Sequence, residues 1–438
     1  MTETLHFTTA MAVAGGILLL AYGVIFSEII HRTGAAIIGA VVMVGVGEWL
    51  GFYSQQQAVT AMDGNTLLLL AGMMMVVAML RPTGGFEYLA IRIAKLAKGD
   101  PRRLLIYLTL AVGGLSMFLD NVTTVLIFAP LTVLITRILG LNPLPYLVAE
   151  AMISNIGGTA TLVGDPPNLM IGSAANIDFL TFLLKMGPPI LLVWGLTVGL
   201  LLLLFRRELV AGGGEVDLDE RKAIRDGRTL QKGMLALGVM VALFFVHHHL
   251  DLYPAYVAFL GVAIAFALIR PEPEPIFGKM EWSVLVFFAG LFVLVGGVEH
   301  SGLLHLVGER LARIAREPGM LLITCLILMW VAGLLSAIVD NIPFTVTMIP
   351  IVAGLEGHGV NTTPLWWALA IGVGLGGNGS HLGATANIIC MAESERAGIP
   401  EARITPLGWL RTGIPVTLTG LAASTLFFVA FFDYLAGV

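Results

Sequence analysis

Runs of about twenty apolar residues follow one another along almost the whole chain, and few charges interrupt them. Hydrophobic residues make up 57% of the 438 positions, charged residues only 12%, and the mean hydropathy is +0.90. A soluble domain carries about a quarter charged residues. Much of this surface therefore faces lipid, and inside lipid only helices and closed barrels satisfy the backbone. The length of the runs selects helices. The expected fold class is an all-α polytopic membrane protein. Ten spanning helices are predicted near 8–28, 34–52, 65–81, 144–175, 179–204, 232–250, 254–270, 283–300, 364–394 and 408–433.

Two further apolar stretches, 104–138 and 319–354, are too long for one crossing. Each is interrupted midway by an Asp-Asn pair, Asp120-Asn121 and Asp340-Asn341. Arms of about fifteen residues are short for a span. They are read as re-entrant hairpins, the alternative being two ordinary spans joined by a short loop.

The sequence also repeats itself. GLSMFLDNVTTVLIFAP, ending at Pro130, aligns with LLSAIVDNIPFTVTMIP, ending at Pro350. GGTATLVGDPPN (Gly157 to Asn168) aligns with GGNGSHLGATAN (Gly376 to Asn387), and Asp63 aligns with Glu281. Polar residues held in register at three separate places set this apart from chance likeness between two greasy stretches. The expected division is a first repeat over 1–205, a linker over 206–231 and a second repeat over 232–438. Each repeat holds one hairpin and one broken helix (144–175 and 364–394). Five crossings per half invert the second half relative to the first, the plan of secondary transporters.

Basic residues test that parity. With 82–103 placed in the cytoplasm, all of the 24 Lys and Arg except Arg310, Arg313, Arg316 and Lys185 fall on the cytoplasmic side. This is the positive-inside pattern. It puts both termini outside and the charged linker 206–231 inside, in the cell (inner) membrane. The polar start, MTETLHF, lacks the basic region of a cleavable leader. Segments 85–98 and 302–316 alternate basic residues with Leu and Ile, as helices lying in the membrane interface do. They read equally as mechanical arms or as plain surface helices.

Irregular backbone at membrane depth is tolerated only where protein buries it or a wet cavity adjoins it. Two hairpin tips and two broken helices, paired by the repeat, converge on one candidate substrate site. Its residues are Asp120, Asn121, Thr123, Gly157, Gly158, Thr159, Asp340, Asn341, Gly376, Gly377, Asn378 and Ser380. Asp120 and Asp340 also read as N-caps of the second hairpin arms. A carboxylate at this depth is costly and is a functional candidate by default. Coupling-ion candidates are Asp120, Asp340 and three residues without a counterpart: Asp165 aligns with Ala384, Glu150 with Leu369, and His381 with Leu162. Asp165 is also a natural turn residue before Pro166-Pro167.

Cys325 and Cys390 are the only cysteines, so neither a disulfide framework nor a thiolate metal site is expected. The run His247-His248-His249 has only Asp251 beside it, and no metal centre is assigned. No Walker motif is present and no enzyme chemistry is evident. Neither a cofactor nor a nucleic-acid partner is expected.

SNIGGTATLVGDPPNLMIGSAA (Ser154 to Ala175), FLDNVTTVLIFAP (Phe118 to Pro130) and GGNGSHLGATAN resemble the arsenical-pump and P-protein branch of the ion transporter superfamily. The similarity runs over most of the chain. It implies homodimers of scaffold and transport regions working by an elevator motion, with substrate held at the hairpin tips and broken helices. It further implies export of arsenite or antimonite in exchange for protons, with a soluble ATPase subunit as a conceivable partner. A sodium/proton antiporter is the alternative. A dicarboxylate or citrate symporter fits less well, because carboxylate carriers have Ser-Asn-Thr at the hairpin tips where this chain has Asp-Asn. A receptor or scaffold without transport would leave the paired broken helices without a purpose.

Overall fold

The computed structural model describes residues 7–27, 29–210, 219–315, 317, 319–338, 340–399 and 402–437. Part of the linker, 211–218, Arg316 of the outer basic group, and Val339 at the second hairpin tip lie outside the described residues.

The helices run in two series of the same order. The first is α1 (Thr9–Ser27), α2 (Arg32–Leu50), α3 (Gln55–Thr60), α4 (Gly64–Leu80), α5 (Gly85–Ala97), α6 (Pro101–Ser116), α7 (Asn121–Ile138), α8 (Leu144–Thr159), α9 (Pro166–Ala174) and α10 (Phe179–Leu204). The second is α11 (Gly227–Val246), α12 (Pro254–Ile269), α13 (Pro273–Phe277), α14 (Trp282–His300), α15 (Leu303–Ala315), α16 (Met320–Ser336), α17 (Asn341–Glu356), α18 (Thr363–Gly376), α19 (Thr385–Arg396) and α20 (Pro406–Ala430). A short α21 (Phe432–Ala436) follows. Among the described residues, nine helical segments are long and apolar enough to cross a membrane.

Two expectations need adjusting. Segment 254–270, expected to span, forms a helix of 16 residues, short of the about twenty a crossing needs. Two of the four hairpin arms are longer than about fifteen residues: α7 has 18 and the apolar segment Met320–Ile338 has 19, while α6 and α17 have 16 each. Pro130 lies inside α7 without ending it. For those two longer arms, length gives no argument for a re-entrant path.

Packing explains which helices carry the site. α8 and α18 are buried along almost their whole length and pack against each other at the centre. α4 and α14 are also mostly covered, whereas α1, α11 and α16 expose most of their apolar surface. Leu19, Leu20, Ile327 and Leu334 are among the side chains turned outward, where lipid tails cost them nothing. Helix pairing crosses between the series: α2 packs on α14 and α4 on α12, while α7 packs on α19 and α17 on α9. Close approach depends on glycine at two equivalent places. A Cβ on Gly157 would stand 2.4 Å from the Gly113 carbonyl oxygen, and one on Gly376 would stand 2.4 Å from that of Gly333.

Both amphipathic segments are helical, as α5 and α15. The first rests on α6, α7 and the linker turn at 220–223; the second rests on α14, α16 and α17.

Candidate functional site

Each helix break has a local cause. α8 ends at Thr159, and α9 starts anew after Asp165 with Pro166 and Pro167 in its first turn, where their missing N–H groups cost no helical bond. In the second half the chain leaves α18 at Gly377 and re-enters a helix at Thr385, with Ala384 where Asp165 stands. Asn168 closes the first break by donating to the carbonyls of Gly158 (3.1 Å) and Thr161 (2.8 Å). Asn387 closes the second on Gly377 (2.7 Å) and Ser380 (2.9 Å).

The hairpin tips are capped by their aspartates. Asp120 accepts from the Thr123 amide (2.8 Å) and hydroxyl (2.5 Å). Asp340 accepts from the Ile342 amide (3.2 Å) and also from the Arg32 guanidinium (2.9 Å). Both aspartates are thus caps, as their sequence position implies. Capping leaves Asp340 free to hold a charge from another part of the molecule.

The tips and breaks meet around a cavity of about 30 Å³, lined by Asp120, Asn121, Asp165, Glu281, Arg32, Asn341 and Thr385 among others. That is room for one or two waters. Asn341 donates to both oxygens of the buried Asp165, at 3.2 and 3.4 Å. Asn121 turns the other way and donates to Asn155 (3.0 Å). Asn155 in turn donates to Asn378 (2.9 Å) and Asn387 (3.0 Å), so four amides link the two halves beneath the cavity.

Arg32 stands between this cavity and a much wider one. A vestibule of about 420 Å³ is lined by Phe26, His31, Arg32, Ile338, Asp340, Leu382 and Thr385. The guanidinium bridges Asp340 and the Thr385 hydroxyl (2.9 Å each) and lies 5.3 Å from the centre of the Phe287 ring. It holds the hairpin tip, the second helix break and the start of α2 together.

Of the expected site residues, Asp120, Asn121, Asp165 and Asn341 line the cavity, and Asp340 lines the vestibule. Thr123 serves Asp120, and Asn378 belongs to the amide chain. Gly157 and Gly376 face neighbouring backbone, and Gly158 and Gly377 offer carbonyls to Asn168 and Asn387. Thr159 packs against Gly374, and the Ser380 hydroxyl accepts from the Leu382 amide. Glu150 is buried away from the cavity and accepts from the Thr132 hydroxyl. The ring of His381 has a buried nitrogen, Nδ1, without a hydrogen-bond partner among the described residues.

Three site residues escape sequence reasoning. Arg32 reads as a loop charge, Asn155 as one polar residue in a greasy helix, and Glu281 as the counterpart of Asp63. The usable signal was Arg32, a cation isolated at the start of an apolar helix.

Comparison with known proteins fixes the family. The sequence pattern described as a citrate transporter matches residues 22–372. The chain belongs to this citrate transporter family. It is 39% identical over 418 residues to an uncharacterised transporter of Mycobacterium tuberculosis, covering 93% of this chain and 95% of that one. It is 33% identical over 475 residues to the P protein of Homo sapiens, covering 89% of this chain and 56% of that protein. The YdaH transporter of Alcanivorax borkumensis has the same fold, with a TM-score of 0.61 at 14% identity, over 98% of this chain and 99% of that one. Family and apolar helices together make this a polytopic membrane transporter.

Proposed function

We propose that the chain is a secondary active transporter that exports arsenite or antimonite in exchange for protons. The observation that carries this reading is the charge of the cavity. Asp120, Asp165 and Glu281 line it, and Arg32, the one cation among its described lining residues, is already held by Asp340. A citrate or dicarboxylate would enter against those acids. A small uncharged trihydroxide meets carboxylate and amide oxygens to donate to and amide N–H groups to accept from. No thiol is needed, and Cys325 and Cys390 are both buried outside the cavity lining.

Asp165 is the proposed proton carrier. Among the described residues its side-chain partner is the Asn341 amide, and its counterpart is Ala384, so one half alone supplies the exchangeable site. The two helix series, with cross-paired packing, support an inverted repeat that moves its site by an elevator displacement. On the parity given by the basic residues, the Arg32 vestibule opens to the cytoplasm, an inward-facing arrangement.

A second reading, sodium/proton exchange, is favoured by the oxygens of Asp165, Asn121 and Asn341 around a cavity of near-water size. Flux measurements in sealed proteoliposomes separate the two. Arsenite-dependent proton movement in sodium-free buffer is the expected result. Sodium-driven proton movement without an arsenite response would replace the first reading by the second.

A further inference from the structure

Far from the cavity, α15 and the end of α17 bring together three side chains that line neither the cavity nor the vestibule. His305 and Glu309 are four residues apart on α15 and so share a face. His358 follows the last turn of α17, which packs against α15. One ligand atom from each of the three lies within 4.8 Å of the other two. The His305 and His358 rings stack at 5.6 Å between centroids. Among the described residues, none of the three side chains makes a hydrogen bond or an ion pair to protein.

We propose that His305, Glu309 and His358 form a binding site for a borderline divalent cation, zinc by preference, that ties α15 to the end of α17. Two imidazoles and one carboxylate are the donors of many zinc centres, which complete a tetrahedron with water. Calcium and magnesium favour all-oxygen sets, so this trio selects against them. Small rotamer changes close 4.8 Å to the spacing of ligands around one ion. His305 is exposed, so the ion enters directly from water. The cation joins two different elements: the interfacial helix α15 and the hairpin arm whose first turn carries Asp340. With 16 residues in α17, the ion sits about 24 Å from that turn. Zinc there would restrain the hairpin without touching the cavity.

The test uses the full chain in detergent with any affinity tag removed. His248→Gln and His249→Gln are introduced as background, so that the histidine run at 247–249 does not bind the probe. Calorimetric titration with zinc chloride should give one ion per chain. His305→Gln, Glu309→Gln and His358→Gln should each weaken binding by at least about tenfold. Cobalt(II) should give the intense visible bands of a tetrahedral site in the background protein and lose them in His305→Gln. His305 is exposed and Glu309 and His358 are half-buried, and each variant is measured on its monodisperse fraction. Zinc should also raise the melting temperature of the background protein and leave that of the His305→Gln/His358→Gln variant unmoved. Zinc binding of equal strength in that double variant, or none in the background protein, overturns the proposal.

Discussion

The two hairpin tips carry the same Asp-Asn pair, yet the pairs do different work. Asp120 spends both oxygens on Thr123, one residue class and one turn away, while Asp340 reaches Arg32 on α2. Asn121 donates within its own half, to Asn155, whereas Asn341 crosses to Asp165 in the other half. The repeat read in the sequence pairs four corners, and the residues it does not share set the two halves apart. Asp165 stands against Ala384, and Asn155 against Gly374. The faces of the molecule differ accordingly. The vestibule at Arg32 reaches a hairpin aspartate, while the cavity of about 340 Å³ near His247 and Asp251 is lined by Leu162 and Leu169 and includes neither tip.

The sharpest way to break this comparison is to move the unmatched carboxylate. Asp165→Asn keeps the contact with Asn341 in shape but cannot exchange a proton, and proton-coupled flux should fall to the empty-vesicle background. Adding Ala384→Asp to Asp165→Ala should not restore it, because Asn121, the counterpart of Asn341, is already committed to Asn155. Flux surviving in Asp165→Asn would remove this residue from the coupling path. Restored flux in the swapped protein would show that the two halves are interchangeable.

Next in size is the amide chain. Asn155→Ala strips the partner from Asn121, Asn378 and Asn387 at once, all three buried. A buried polar group left unpaired costs about 1–3 kcal/mol, so about 3 kcal/mol or more should be lost in thermal unfolding in detergent. Gly374→Asn, the matching change in the second half, should not compensate, because a Cβ there meets the Thr159 hydroxyl. A loss below about 1 kcal/mol in Asn155→Ala would mean that the surroundings re-pair these groups.

Arg32 gives a smaller effect of a different kind. Its pair with Asp340 is partly exposed, the side chains retaining 26% and 14% of their accessible surface. Such a pair is worth about 1 kcal/mol, so Arg32→Ala should raise thiol labelling of Ala384→Cys from the vestibule by about fivefold. Background labelling stays low because Cys325 and Cys390 are buried. Unchanged labelling would show that Arg32 does not stand in the path.

The sequence made the helical class, the two helix breaks and the aspartate caps readable, each for a local reason. Pro166-Pro167 open a new helix, Asp at a tip caps the next turn, and apolar length reports lipid. Asp165 was reachable because a repeat exposes what it does not share. Arg32 and Asn155 were not, because their meaning comes from contacts more than two hundred residues away: Asp340 and Thr385 for one, Asn378 and Asn387 for the other. The glycines mislead in the opposite sense. Gly157 and Gly376 sit in the most distinctive strings of the chain, but their position is set by backbone contact with Gly113 and Gly333. His358 is paired to His305 and Glu309 only by the packing of α15 on α17.

The two interfacial helices extend the comparison beyond the site, with the smallest expected effect. α5 is tied to the linker through Glu220, which contacts Lys95 Nζ (2.5 Å) and Arg92 (3.0 Å). The Lys95 hydrogen bond, helped by Arg92, lowers the Glu220 carboxyl from 4.5 to about 2. A depressed carboxylate pKa stabilises the folded contact above the unfolded value of 4.5 and loses that contribution as pH falls towards 2. The link between α5 and the linker should therefore be intact at neutral pH and weaken progressively below about pH 4.5. Glu220→Gln should remove that pH dependence and speed proteolysis of the linker modestly at neutral pH, because an exposed ion pair contributes little. α15 has no acidic linker to hold it and meets the end of α17 instead. If Glu220→Gln changes transport as well as proteolysis, α5 is a working arm of the moving part. If linker cleavage rises and flux stays the same, α5 is a surface helix, and any arm must be sought at α15.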